Sequence, residues 1–181
     1  MAHAPRSLPP LNPASLDRIA LRYVERFATT RGKLTRYLEC KIRERGWDGE
    51  ELETSRPDTV ALAQRLADLG YIDDRAFAEG RATAMGRRGL GARRVAGMLR
   101  EAGVGTEDAA SLTPVLEAQA LSSALSFARK RRIGPYADRL GDRAQQQKHL
   151  AAMIRAGHDF SLARQITAML PGDDVARLGE A

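Results

Sequence analysis

The sequence predicts an all-α fold of short helices in series, on three observations. Hydrophobic residues make up 43% of the 181 residues but aromatics only 5%, so any core is built from Leu, Ala, Val, Ile and Met, in a composition that favours helices. Apolar residues recur at three- and four-residue spacing, and no period-two alternation is long enough to argue for a sheet. One pattern also repeats: an apolar residue, three others, glycine, then a bulky residue. It appears as Ile42…Gly46-Trp47, Leu66…Gly70-Tyr71, Leu99…Gly103-Val104 and Met153…Gly157-His158. Each reads as a helix closed by a left-handed glycine. Gly46, Gly103 and Gly157 lie 57 and 54 positions apart, which marks an internal repeat of small helical units stacked into an elongated array.

The elements follow in order. Residues 1–12 are proline-rich without an apolar segment and read as a disordered arm, not a secretory leader. Asn12-Pro13 offers a cap with proline at the first helical position, and Leu16, Ile19, Ala20, Tyr23, Val24 and Phe27 form one helix face. A second helix starts near Thr30, carries Leu34, Tyr37, Leu38 and Ile42, and ends at Gly46, with Trp47 covering Ile42. An acidic stretch over 48–54 completes a first unit, 13–54. Pro57 and Asp58 open a third helix striped by Leu62, Leu66 and Leu69.

Leu66 to Ala78 should stop that helix and start the next. Gly70 closes it in a Schellman turn with Tyr71 against Leu66, Asp73 caps the following helix, and Asp74 sits in its first turn. Ile72 and Phe77 are placed to form a hydrophobic staple. That helix carries Arg81, Ala82 and Met85 and gives way at Gly86–Gly91, read as a flexible corner. The next packs Val95, Met98 and Leu99 and stops at Gly103, within a second unit over 55–108. In a third unit, 109–170, Thr113-Pro114 caps a long helix to about Arg132, broken by Gly134-Pro135. A helix from near Asp142 carries Leu150, Met153 and Ile154 to Gly157, and a short one passes through Leu162 and Ile166. Residues 171–181 read as a frayed tail.

Enzyme signatures are missing: no nucleotide-binding glycine motif, no H-E-x-x-H and no C-x-x-C occurs. Cys40, the single cysteine, cannot form an intrachain disulfide and reads as a small semi-buried residue. His149 and His158 suit surface or helix-end roles, and Asp73 and Asp74 read as caps instead of a metal pair. No apolar run approaches membrane-spanning length, so the expectation is a soluble protein of a reducing compartment, the cytoplasm.

Charge is more informative. The net charge of +6 and pI near 10 call for an acidic partner. Residues 18–46 hold nine basic and three acidic side chains, 81–103 six and one, and 129–155 eight and two. Basic blocks therefore recur with the repeat, while 48–79 holds nine acidic and three basic residues. Arg81, Arg87, Arg88, Arg93, Arg94 and Arg100, with the run Arg129, Lys130, Arg131 and Arg132, are the candidate partner-binding or DNA-binding residues. Arg93, Gly97 and Arg100 share a face away from Val95, Met98 and Leu99. The scarcity of interleaved aromatics argues against base stacking.

The middle of the chain resembles the RecX family of regulatory proteins. The residues that carry the likeness are L-A-D-L-G-Y-I-D-D-R-A-F-A from Leu66, R-R-G-L-G-A-R-R-V from Arg87, and L-R-E-A-G-V from Leu99. The first unit and the stretch R-R-I-G-P-Y…L-A-A-M-I-R-A-G-H-D-F are similar to the family's opening and closing units, so the likeness covers roughly residues 16–170. Lys33 stands where a Glu commonly completes a capping box with Thr30. The resemblance implies three tandem three-helix units forming a curved array. It also implies a monomeric, non-enzymatic protein without cofactor, metal or catalytic residue, which binds the RecA–single-strand DNA filament and inhibits its ATP hydrolysis and growth. Contact with single-stranded DNA itself would be weak or indirect. A non-specific DNA-binding helical protein that acts by competing for DNA is the alternative reading.

Overall fold

The computed structural model of the chain describes residues 9–48 and 57–179. Most of the expected arm, the acidic stretch over 49–54 and the last two residues of the tail lie outside the described residues. Packing divides the chain into two compact units, residues 1–77 with 102–105, and residues 78–101 with 106–181. The expected second unit, 55–108, is thus shared between them, because its first helix buries its apolar face with the two helices before it. Among the described residues the fold is helical, and the lone β-type pairing is an isolated parallel bridge between Leu11 and Trp47.

In the N-terminal unit, α1 spans Pro13–Arg26, α2 Arg31–Arg45 and α3 Thr59–Asp68. Asn12 accepts the Ser15 amide while the Ser15 hydroxyl accepts the Asn12 amide, both at 2.9 Å, a reciprocal capping box. Asp58 accepts the Val60 and Ala61 amides at the start of α3. The predicted stripes meet in one core that includes Leu16, Leu34, Leu38, Ile42, Leu62 and Leu66. Three residues break the expected pattern, the first being Phe27, 53% exposed at the C-cap of α1. Leu69 is 65% exposed, because it sits at the C-cap, past the last full turn of α3. Cys40 is exposed, with its Sγ 3.3 Å from a Glu44 carboxylate oxygen.

The arm is ordered where it is described. Leu11 is fully buried, its amide donates to Gly46 O at 2.9 Å, and its carbonyl accepts from Asp48 N at 2.8 Å. The Arg45 side chain donates to Pro9 O. One buried leucine therefore ties the chain entry to the end of α2, beside Trp47, which packs on the same core.

The corner after α3 forms as predicted at its backbone. Tyr71 N donates to Leu66 O at 2.9 Å and Gly70 N to Ala67 O at 2.8 Å, with Gly70 at φ 81°, the bond pair of a Schellman turn. The Tyr71 ring stays half exposed, and Ile72 is the residue that joins Leu66 in the core. Helix α4, Asp74–Arg87, starts with Asp73 accepting the Ala76 amide at 2.8 Å. Phe77 is half-buried, with the Lys33 ammonium 4.8 Å from its ring centroid.

Asp74 does more than complement the dipole of its own helix. Its side chain is 4% exposed, Oδ1 accepts the Arg31 amide at 2.9 Å, and Oδ2 accepts from Arg31 Nε at 3.0 Å. It thereby satisfies an orphan donor at the start of α2, where Lys33 cannot complete a capping box. Thr30 accepts the Lys33 amide through Oγ1 and donates the same hydroxyl to Ala102 O at 2.6 Å. A side chain on Gly32 would come 2.7 Å from Gly103 O, so residues 102–105 lie directly on the first turn of α2. Replacement of Asp74 by Ala leaves the Arg31 amide without its partner, and should lower unfolding free energy by about 2 kcal/mol, measured by urea denaturation.

The C-terminal unit contains most of α4, then α5 (Ala92–Glu101), α6 (Thr106–Ser111), α7 (Thr113–Ala118), α8 (Ala120–Arg131), α9 (Arg143–Arg155) and α10 (Phe160–Ala168). The predicted long helix from Thr113 is two helices, interrupted where Gln119 turns the chain, and α6 carries too short an apolar pattern to be seen in sequence. Ala124, Ala128, Ile133, Met153, Ala163 and Ile166 form the core of α8, α9 and α10. Leu178, on a short 3₁₀ turn at Val175–Gly179, packs against it, so the described part of the tail, 171–179, is docked through that turn and not frayed.

Candidate partner-binding surface

All ten candidate cations lie in the C-terminal unit and all are exposed. Their placement follows from how three helix ends satisfy one another. Helix α4 runs through Gly86 to Arg87 and closes in a second Schellman turn, with Leu90 N donating to Met85 O and Gly89 N to Gly86 O. The glycine-rich stretch is therefore a packed helix end and not a flexible corner. A Cβ on Gly89 would come 2.9 Å from the Phe127 amide nitrogen. The last carbonyls of α4 receive donors from α8: Lys130 Nζ lies 3.0 Å from Arg88 O and 3.4 Å from Arg87 O, and Ser126 Oγ donates to Arg87 O.

The start of α5 meets the end of α9 in the same way. Gly91 N donates to Ala156 O at 2.9 Å and Arg93 N to Gly157 O at 3.2 Å. Orphan amides of one helix thus take up orphan carbonyls of another. The approach is so close that a Cβ on Gly91 would lie 2.3 Å from the Gly157 carbonyl, and one on Gly157 (φ 90°) 2.3 Å from Arg94 N. His158, 2% exposed, completes the joint by donating from Nε2 to Gly89 O at 3.1 Å, with its ring 5.3 Å from that of Phe127. The position after Gly157 reads in sequence as a surface or helix-end residue. Nothing local marks it as buried, because its partner lies 69 residues away.

The result is a basic corner. Arg87 and Arg88 leave from the end of α4, Arg93 and Arg94 from the first turn of α5, and Lys130 and Arg131 from the last turn of α8. Among the described residues Arg87, Arg88 and Arg94 make no side-chain hydrogen bond or ion pair, and Arg93 has Asp159 at 4.0 Å. Other candidates are placed differently. Lys130 is spent on backbone carbonyls, Arg129 lies 5.0 Å over the Tyr136 ring, Arg131 lies 5.8 Å from the Phe127 ring, and Arg132 pairs with Asp138 at 3.0 Å. Arg81 and Arg100 have no described contact tying them to the corner. On α5, Val95 and Leu99 are buried while Arg93 and Arg100 are exposed, as the helical period requires.

The N-terminal unit holds an aromatic group that low aromatic content concealed. Tyr23 stacks on Tyr37 at 4.2 Å and lies 5.3 Å from Phe27, and Lys41 and Arg26 approach the outer rings. Spacing 23 to 27 puts two rings on one helix face, but only packing of α1 on α2 adds the third.

No family model matches the chain. The regulatory protein RecX of Myxococcus xanthus (strain DK1622) is 31% identical over 160 residues, which is 86% of this chain and 86% of that protein. The chain belongs to the RecX family of regulatory proteins. Solved RecX structures share its fold. The crystal structure of RecX from Lactobacillus salivarius aligns with a TM-score of 0.61 at 20% identity, over 84% of this chain and 92% of that one. A second crystal structure of regulatory protein RecX gives 0.61 at 22% identity, over 84% and 72%.

The joint that carries this RecX corner gives two tests. Gly157→Ala adds both a backbone clash and an unfavourable φ, and should cost roughly 2–4 kcal/mol, seen as a lowered thermal midpoint. Burial holds the His158 imidazole below its usual 6.5, with the bond to Gly89 acting in the opposite direction. Above 6.5 the ring is neutral in folded and unfolded chains alike. Below it the unfolded chain takes up a proton that the folded chain resists, so stability falls as pH drops from 6.5 toward the depressed value. Denaturation profiles between about pH 7.5 and 5 should show that slope, and His158→Gln should remove His158's share of it.

Proposed function

We propose that this RecX protein regulates RecA by binding the RecA–single-strand DNA filament, restraining ATP hydrolysis and filament growth. It acts in the cytoplasm as a monomer, by contact and not by catalysis. The observation that carries the reading is the basic corner of a RecX-family chain. Arg87, Arg88, Arg93 and Arg94 are exposed there, on backbone that is locked by hydrogen bonds between helix ends. A guanidinium donates in a planar fork suited to phosphate and carboxylate oxygens, so a filament that presents both DNA phosphates and acidic side chains is a fitting target. The locked backbone lowers the ordering cost of binding. Arg129, Lys130, Arg131 and Arg132 extend the same positive region and act mainly through their field.

The competing reading, a basic protein that simply coats DNA, predicts a different titration. With RecA filaments preformed on single-stranded DNA and ATP, the filament reading predicts inhibited hydrolysis at ratios far below one chain per RecA. Replacing Arg87, Arg88, Arg93 and Arg94 together by Ala should raise the concentration needed by at least about tenfold, with the thermal midpoint unchanged. Inhibition only at saturating coverage, with a steep salt dependence of binding to bare DNA, would sink the filament reading.

A further inference from the structure

A cleft in the C-terminal unit is lined by none of Arg87, Arg88, Arg93 and Arg94, although Arg131 and Arg132 belong both to its wall and to the positive region invoked above. It lies among the last turn of α8, the connection over 134–142, the first turns of α9 and the end of α10, and has a volume of about 640 Å³, within the range of small-ligand sites. Arg131, Arg132 and Arg139 line it, and Leu140, Met169 and Pro171 give it an apolar lip. Leu140 is 56% exposed there.

The electrostatics favour an anion. Most of the cleft is formed by the segment 129–155, which holds eight basic and two acidic residues. Both acidic residues line the cleft, and both are already engaged. Asp138 Oδ2 accepts from Arg132 Nη1 at 3.0 Å, and Asp142 Oδ1 accepts the Gln145 amide at 2.7 Å as the N-cap of α9. Arg139 is exposed and has no ion pair among the described residues. His149, also on the wall, is held through Nε2 by the Gln145 side chain at 2.9 Å.

The backbone gives an independent sign. Helix α8 closes in a Schellman turn, with Ile133 N donating to Ala128 O and Arg132 N to Arg129 O. Glycine takes the left-handed position of such turns at Gly70, Gly89 and Gly157, but here it is Arg132, at φ 53°. A non-glycine residue is disfavoured in that conformation, and this one lies at the cleft wall.

We propose that this cleft binds the phosphate groups of a nucleotide, held by the three arginines, with the sugar or base against the apolar lip. The nucleotide is either free or part of a nucleic acid strand. The proposal concerns the C-terminal unit alone and requires neither RecA nor the filament.

The test uses the full chain at low salt, with ATP titrated by calorimetry and a labelled single-stranded oligonucleotide followed by anisotropy. Two charge-matched variants are compared, Arg139→Ser in the cleft and Arg155→Ser on an exposed turn outside it, with circular dichroism to verify folding. Saturable ATP binding that weakens about tenfold in Arg139→Ser and is unchanged in Arg155→Ser supports a free nucleotide. The same selective loss seen only with the oligonucleotide supports a nucleotide within a strand. If neither ligand distinguishes the two variants, the cleft is not a phosphate site and the proposal is overturned, while the filament reading stands untouched.

Discussion

Gly91 and Gly157 bring two stretches of backbone so close together that neither position can carry a side chain, and the C-terminal unit depends on that approach. The first amides of α5 need acceptors and the last carbonyls of α9 need donors, and each supplies the other. Because the bonds are made main chain to main chain, the side chains of Arg93 and Arg94 are left for other uses. The same economy operates at the end of α4, where Lys130, Ser126 and His158 take up the Arg87, Arg88 and Gly89 carbonyls. A basic surface arises where several helix ends are closed by one another, with little flexibility left in the backbone beneath it.

The N-terminal unit solves its corresponding problem with a charged group. Helix α2 begins without an acidic residue in its first turn, and Asp74 reaches it from the start of α4. A carboxylate that serves one helix as a first-turn anion serves another as a cap. The Arg31–Asp74 pair is half sheltered, so its worth lies in the satisfied amide more than in the Coulomb attraction of the ion pair.

Much of this was legible in the sequence, for local reasons. The Leu66–Asp74 corner is written in adjacent residues: glycine for the left-handed turn, aspartate for the cap, and an apolar residue on either side. The caps at Asn12, Thr30, Asp58, Asp73 and Asp142 are likewise determined within three or four positions, and so are the buried positions of α2 and α5. The family likeness rested on the same local strings. The errors were of a different kind. Gly86–Gly91 reads as flexible from its glycine content, whereas its neighbours pack it as a helix end. Leu11 reads as part of a loose arm because its partner, Trp47, is distant in sequence. Cys40, Leu69 and Phe27 read as at least partly buried from their spacing, but a stripe does not show where a helix face meets solvent.

The sequence by itself determined an all-α chain, most of its helix ends, its positive charge and the residues that make it a RecX-family chain. These depend on hydrogen bonds and side-chain periods that close within one or two turns. Tertiary structure alone decided which basic residues share a surface, which are spent on carbonyls or carboxylates, and that His158 is buried. It also decided that Tyr23, Phe27 and Tyr37 come together and that Arg131, Arg132 and Arg139 line one cleft. Those outcomes depend on contacts between residues far apart in the chain, and the chemistry of a side chain does not state what will be packed against it.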